Sequence, residues 1–189
     1  MADPVAPCSP EKLGMIKYNC FVNTTHHKEE KMSVSRFVLG LAFTLFALGA
    51  VAQDRPPYGQ EIGLEQAKKI AAGAAAESKK NGWRMAIAVV DNHGFLVYYE
   101  RMDDTQTGSV QVALDKAKAA AMYRRPTKAF EDGIAKGRVA LLGLSGATPI
   151  EGGVPIMTGG KVIGGVGVSG ANSDQDAQAA MAGLKAAGL

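Results

Sequence analysis

The sequence predicts an α+β domain, in which an antiparallel β-sheet packs against α-helices. Two pairs of strand-like segments each flank a short turn, and each pair therefore predicts a β-hairpin. Segments with helical periodicity and alanine-rich apolar stripes precede, separate and follow the hairpins. The order helix, hairpin, helices, hairpin, helix is typical of an antiparallel sheet with helices against it, rather than of a doubly wound nucleotide-binding fold.

Residues 32–52 have the pattern of a secretory signal peptide. A short basic start is followed by an apolar run over residues 37–48 and by Ala-Val-Ala at residues 50–52. Cleavage before Gln53 would release a periplasmic or secreted protein. The apolar run is short for a membrane span and no second one follows, so we expect no membrane span after cleavage.

A signal peptide should begin near its initiating methionine, yet 31 residues precede Met32. We interpret residues 1–31 as an upstream artefact or extension. They contain both cysteines and two of the three histidines, so the chain from Gln53 onward has no cysteine and one histidine, His93. This excludes thiol chemistry and cysteine-ligated zinc or iron–sulfur centres from the exported chain.

The composition is that of an ordinary globular protein, with 47% hydrophobic residues, 21% charged residues and a net charge of +3. So balanced a charge argues against a nucleic-acid partner, and 6% aromatic residues are too few for a broad base-stacking surface. An arm over residues 53–62, containing two prolines, is predicted to be extended. One domain over residues 63–189 is predicted to follow it.

The first predicted helix spans about residues 64–80, because apolar side chains recur there at helical spacing and Asn81-Gly82 ends it. Strands over residues 85–90 and 95–100 then flank the turn-forming sequence Asp91-Asn92-His93-Gly94. Together the two strands predict the first hairpin.

The second predicted helix spans about residues 109–123 and again carries a stripe of small residues, from which Lys116 and Lys118 are expected to point away. Pro126 breaks this helix. Thr127 is the expected N-cap of a short helix that ends near Ile134. Residues 139–149 fit either a helix end or a short apolar strand.

The second hairpin has strands at residues 154–157 and 161–168, and Gly159-Gly160 supply the positive φ angles of a tight turn. This turn places Met157 opposite Val162. A closing helix follows, with an N-cap and first-turn acids at residues 173–176 and an apolar stripe. That stripe consists of Ala177, Ala180, Met181 and Leu184.

One face of the second strand of this hairpin has almost no side chains beyond Ile163, because Gly165 and Gly167 follow on the same face. Glycine inside a strand weakens it and usually marks a close approach by another group. Close packing of a helix is the favoured interpretation. A ligand surface or a subunit contact is the alternative.

Sequence motifs typical of enzymes have little support in this chain. The glycines 164, 165 and 167 lie inside a strand, whereas a dinucleotide loop needs a helix directly after its glycines. No GxSxG element is present, and the single histidine of the exported chain lies in a predicted turn. Asp103-Asp104 is more typical of a solvated turn than of an acid–base pair.

His93 is, taken alone, more typical of a tolerated turn residue than of a ligand, although its imidazole is suited to axial ligation of haem iron. Weaker candidate ligands are Met102, Met122, Met157 and Tyr123. Basic residues that could pair with the carboxylates of a ligand, haem propionates among them, are Arg101, Lys116, Arg124 and Arg125.

The segments together resemble the GlcG/HbpS haem-binding-like family, which includes the C-terminal domain of PduO-type proteins. The resemblance rests on blocks that occur in the family's order and cover nearly all of residues 61–189. These blocks are residues 89–94 (VVDNHG), 100–103 (ERMD), 116–120 (KAKAA), 125–127 (RPT), 152–156 (GGVPI), 165–171 (GVGVSGA) and 174–176 (DQD).

The resemblance implies a profilin-like antiparallel sheet flanked by helices, homo-oligomeric assembly, haem binding in some members and sensor-protein partners for some secreted ones. It implies His93 as a candidate metal ligand in a cofactor-binding site, with polar pocket positions at Arg101, Asp103, Lys116 and Thr127. Since the exported chain has no second histidine, it cannot supply two histidine ligands from one subunit.

Two hypotheses follow. The first is an exported haem- or tetrapyrrole-binding module in haem handling or redox sensing, with no assigned catalytic residue. The second is a haem-free sensor or enzyme for a small, glycolate-type carboxylate, with Arg101 or Lys116 holding the acid and Asp103 as a base. A binding protein is favoured over an enzyme.

Overall fold

The computed structural model describes residues 55–189, so the predicted signal peptide and the residues before it lie outside the described range. The fold is α+β, as predicted. The helices are α1 (Leu64–Lys80), α2 (Thr107–Tyr123), α3 (Lys128–Ala135) and α4 (Ser173–Ala186), and the strands are β1 (Ala86–Asp91), β2 (Leu96–Arg101), β3 (Gly153–Thr158) and β4 (Lys161–Ser169).

The four strands form one antiparallel sheet in the order β2-β1-β4-β3. Both predicted hairpins are present, β1 with β2 and β3 with β4. Gly159 and Gly160 have φ angles of 53° and 74°, and Met157 pairs with Val162 as the two-residue turn requires. The central pair joins β1 to β4, so that Ala86 is opposite Ser169 and Val90 is opposite Gly165.

Helices cover both faces of the sheet. Ile87 and Val89 of β1 face a larger core that includes side chains from α1 and α4. The alternate residues Ala86, Ala88 and Val90 face a smaller core made with α2. All six residues of β1 are buried because both of its faces are covered.

The glycine face of β4 packs against α2. A Cβ at Gly167 would collide with the backbone carbonyl of Ala113 and with the backbone of Ala117, and a Cβ at Gly165 would collide with the carbonyl of Ala117. Close packing of a helix, the favoured interpretation of these glycines, is therefore confirmed.

Of three local predictions, an open alternative is resolved, one N-cap is confirmed in position and another is corrected. Residues 139–149, which fit a helix end or a strand, contain a 3₁₀ helix over Val139–Gly143. Thr127 is the N-cap residue of α3, as predicted, although its side chain makes no capping hydrogen bond. The N-cap of α4 is Asn172 rather than a residue of 173–176, and its backbone N–H donates to Gln175.

The apolar stripe of α4 also differs from the prediction, because Met181 is 55% exposed while Asp176 is buried.

Within residues 55–189 no helix is both long enough and apolar enough to cross a membrane.

Gly167→Ala is expected to lower the free energy of unfolding by about 1–3 kcal/mol or more, because the added methyl group meets helix backbone that cannot rotate aside. Chemical denaturation measures the loss. The matched control is Gly108→Ala in α2, where a Cβ has no neighbour within 4 Å. That exchange should be neutral or stabilise the protein by up to about 1 kcal/mol. Equal effects of the two substitutions would contradict this account of the glycine face.

Candidate functional site

The predicted site residues lie in three different places. His93 projects from the turn between β1 and β2, at one end of the sheet. Arg101 ends β2 and pairs with Ala86 at the opposite end of the same hairpin. Since a strand rises about 3.3 Å per residue, the two ends of β2 are roughly 15–20 Å apart.

The turn that carries His93 is held by Asp91. One carboxylate oxygen of Asp91 accepts hydrogen bonds from the backbone N–H groups of His93 and Phe95, at 2.8 and 2.9 Å. Gly94 supplies the positive φ angle, 88°, that the turn needs. The sequence Asp-Asn-His-Gly thus fixes its own backbone and leaves the His93 side chain 65% exposed.

The described part of the arm, residues 55–62, forms one wall of a pocket beside this turn. The N–H groups of Gly59 and Ile62 donate to the carbonyls of Val162 and Ile163, each at 2.9 Å, so the arm is anchored on the first residues of β4. The pocket has a volume of about 450 Å³. It is lined by Gly59, Gln60, Glu61, Ile62, Asn92 and His93.

Polar groups of this pocket come from both walls. The Nε2 atom of His93 lies 3.9 Å from a carboxylate oxygen of Glu61, and both side chains are more than half exposed. Asn92 is buried and donates from Nδ2 to the carbonyl of Gly59 at 2.7 Å. Its Oδ1 atom is also buried and has no hydrogen-bond partner among the described residues.

Apolar side chains surround the same turn. Phe95 and Leu96, which follow it, are 72% and 52% exposed. Met122, near the end of α2, is 49% exposed, and its sulfur lies 3.3 Å from the position a Cβ would take on Gly94. The Tyr58 hydroxyl donates to the carbonyl of Met122 at 2.8 Å. The turn therefore presents an exposed imidazole beside exposed apolar side chains.

Lys116 is buried, which corrects the prediction that it points away from the apolar stripe of its helix. Only 1% of its side chain is exposed, and its Nζ atom donates to Asp176 at 2.8 Å and to the carbonyl of Val168 at 3.1 Å. Burial raises the pKa of the Asp176 carboxyl, although the hydrogen bond and charge of Lys116 oppose that change. The ammonium group is thus paired with Asp176 inside the protein.

Thr127 is also buried and also has an internal partner. Its Oγ1 accepts a hydrogen bond from the N–H of Gly153 at 2.9 Å, and its own N–H donates to the Gly153 carbonyl at 3.0 Å. Gly152, with φ 122°, passes so near Lys116 that a Cβ there would lie 2.8 Å from Nζ. Glycine backbone therefore covers the ion pair on this side.

A second pocket, of about 220 Å³, lies outside this glycine backbone, and its lining is mostly apolar. Gly152, Gly153, Val154 and Met181 form part of its wall, and Lys128 and Glu151 form an ion pair of 3.4 Å at the same pocket. The structure thus brings Lys116 and Thr127 together near this pocket but leaves His93 in the other one.

Arg101 and Asp103 are exposed, and neither shares a pocket with His93. Cationic side chains closer to the His93 turn are Lys118, whose Cγ lies 3.8 Å from the Cβ position of Gly94, and Arg124, which stacks on the Tyr58 ring at 5.2 Å. The five predicted site residues therefore do not form one site.

Sequence reasoning missed Glu61, Asn92 and Asp176. The sequence of the arm carries no signal that it contacts the turn, so the sequence does not connect Glu61 with His93. The sequence pattern indicates that Asp176 is a first-turn acid of α4, whereas in the structure it is the internal partner of Lys116. Its helical spacing to Ala179, Ala180 and Leu184, all buried, is a signal that could have placed it on the inner face.

The fold and these pockets define a profilin-like α+β sandwich with a histidine-bearing turn at the rim of its sheet. Residues 62–185 match the model of a family described as haem degrading protein HbpS-like, and the chain belongs to this family.

Among curated proteins, Protein GlcG of Escherichia coli (strain K12) is 42% identical over 108 residues, which cover 57% of this chain and 81% of GlcG. A crystal structure of a Streptomyces reticuli HbpS double mutant has a TM-score of 0.63 and 31% identity, and the match covers 67% of this chain and 87% of that one. A PduOC–haem complex has a TM-score of 0.62, with 24% identity and coverage of 67% and 94%, and supports the fold alone.

Lys116→Met is expected to lower the free energy of unfolding by about 3–5 kcal/mol at neutral pH, because it leaves the Asp176 carboxylate buried without its partner. The loss should shrink in acid. Without Lys116 the pKa of Asp176 rises further above its unfolded value. The penalty is therefore absent below the unfolded pKa, grows as the pH rises from the unfolded to the folded pKa, and is complete above the folded one. Denaturation curves across pH measure both effects.

Two variants control this experiment. The double variant Lys116→Met with Asp176→Asn should recover much of the loss and should lack its pH dependence, because no buried charge remains. Lys118→Met makes the same exchange on the same helix, where the side chain is partly exposed, and should have little effect. A pH-independent loss in Lys116→Met would contradict the assignment of the ion pair.

Proposed function

We propose that this protein binds haem through His93. The observation that carries the proposal is an exposed imidazole on a rigid turn, beside an open pocket and an apolar surface. Membership in a family described as haem degrading supports the same ligand. We further propose that the protein acts after export, as a periplasmic or secreted module in haem handling or redox sensing, because of the predicted signal peptide.

The residues near the turn suit the parts of a haem molecule. Phe95, Leu96 and Met122 offer exposed apolar surface to a macrocycle, and His93 offers an iron ligand. Lys118 and Arg124 are better placed than Arg101 or Lys116 to pair with propionates. Because the turn is open to solvent, affinity should be modest and the iron accessible to small added ligands.

The alternative, a small-carboxylate sensor or enzyme, has less support. Its proposed anchor Lys116 is paired with Asp176, and Arg101 and Asp103 are exposed at the far end of the hairpin from His93. A thermal-shift screen separates the two functions, since carboxylates without haemin should stabilise the protein only under the alternative.

Haemin added to the protein is expected to produce a Soret band that shifts or disappears in His93→Ala, because that substitution changes the coordination of the iron. Absorption titration measures the band and the affinity. Arg101→Ala is the control and should keep the spectrum, since Arg101 lies at the other end of β2. An unchanged spectrum in His93→Ala would make the ligand assignment wrong and direct attention to Met122.

We also propose that the protein assembles into homo-oligomers and contacts a sensor protein, as the family resemblance implies. Exposed apolar side chains at Val139 and Leu142, 65% and 66% exposed, support a contact surface on the segment before β3. Light scattering at micromolar concentration should give a mass at least twice that of the full chain, which is 19.7 kDa, or at least twice that of its cleaved form. A monomer would contradict this proposal.

A further inference from the structure

We propose that Glu61, Asn92 and His93 form a binding site for a free divalent transition-metal ion, where the N-terminal arm meets the β1–β2 turn. The site would take an ion such as Zn²⁺, Co²⁺ or Ni²⁺ from solution, without a porphyrin. It goes beyond haem binding and does not depend on it, because all three side chains come from this chain and line one pocket.

Asn92 is the first reason to expect a ligand. The acceptor carbonyl of Gly59 fixes the orientation of the amide, since only the Nδ2 side can donate to it. The Oδ1 atom is left buried with no partner among the described residues, in a side chain that lines the pocket. A buried acceptor without a partner destabilises the folded protein, and a bound cation would remove that cost.

The His93 and Glu61 donors are the second reason. They are 3.9 Å apart, and two donors at about 2.0–2.2 Å from one ion are separated by roughly 3–4 Å. Both side chains are more than half exposed, so a small rotamer change adjusts their spacing without moving the core. The backbones that carry them are anchored, the arm on β4 and the turn on Asp91.

The charge and chemistry of the donors indicate which ion fits. Glu61 provides a carboxylate, and the carboxylate of Asp91 directly supports the turn and adds negative charge. An imidazole nitrogen combined with carboxylate and amide oxygens favours a first-row transition-metal ion over Mg²⁺ or Ca²⁺, which prefer oxygen donors only. Water would complete the coordination, because the pocket is open.

Only two of the three proposed donors, Glu61 and His93, belong to the acidic, cysteine and histidine residues that most often bind metal ions in proteins. Within residues 55–189, no group of three His, Cys, Asp or Glu side chains is arranged to hold a metal ion. Here the third donor is an asparagine oxygen. Because one Nε2 atom can bind one metal centre, a free ion and haem iron should compete for His93.

Isothermal titration of the haem-free full chain with Zn²⁺ tests the site, in a background in which Cys8→Ser and Cys20→Ser remove the thiols of residues 1–31. Glu61→Gln should weaken binding at least about tenfold, and His93→Ala should abolish this binding event. Both substitutions are at exposed side chains, so the fold should persist. Glu65→Gln, on the exposed first turn of α1, is the matched control and should leave the affinity unchanged.

Equal affinities in Glu61→Gln and Glu65→Gln, or no binding event that depends on His93, would overturn the metal site. A haemin titration of Glu61→Gln keeps the two proposals apart. If haem binds through His93, that variant should keep its Soret band while losing Zn²⁺ affinity. Loss of Zn²⁺ affinity with no haemin binding in any variant would instead support the metal site and refute haem binding.

Discussion

The close approach of α2 to β4 is the constraint on which the rest of the structure depends. At Gly165 and Gly167 the backbone of the helix occupies the space where side chains would otherwise stand. On the helix side the contact is made by Ala113 and Ala117, whose short side chains allow the helix to approach the strand closely. Glycine is unfavourable inside a strand, and the large buried contact between helix and sheet offsets that cost.

This short distance has consequences at two points along α2. Near the middle of the helix, Lys116 comes within hydrogen-bonding distance of the Val168 carbonyl and of Asp176. At its C-terminal end, Met122 lies against Gly94 of the β1–β2 turn and accepts a hydrogen bond from Tyr58 of the arm. One helix therefore supports the buried ion pair and one side of the His93 turn.

The two pockets have different physical character. The pocket at the Gly152–Gly153 backbone is mostly apolar, and the nearby charges of Lys116 and Asp176 neutralise each other behind the glycines. The pocket at the turn is polar, open and carries an imidazole, a carboxylate and a buried amide oxygen without a partner. The donor groups suited to coordination therefore lie at the turn, whereas the ion pair contributes to the fold.

The sequence by itself determined the α+β class and both hairpins, because alternation, helical period and turn glycines act over a few residues. The correct pairing of Met157 with Val162 follows from Gly159-Gly160 alone. Only the tertiary structure placed Lys116 inside, since lysine is seldom buried without a partner and that partner, Asp176, lies 60 residues away. It likewise brought Glu61 to His93, because the backbone hydrogen bonds between the arm and β4 join segments whose contact no local pattern predicts.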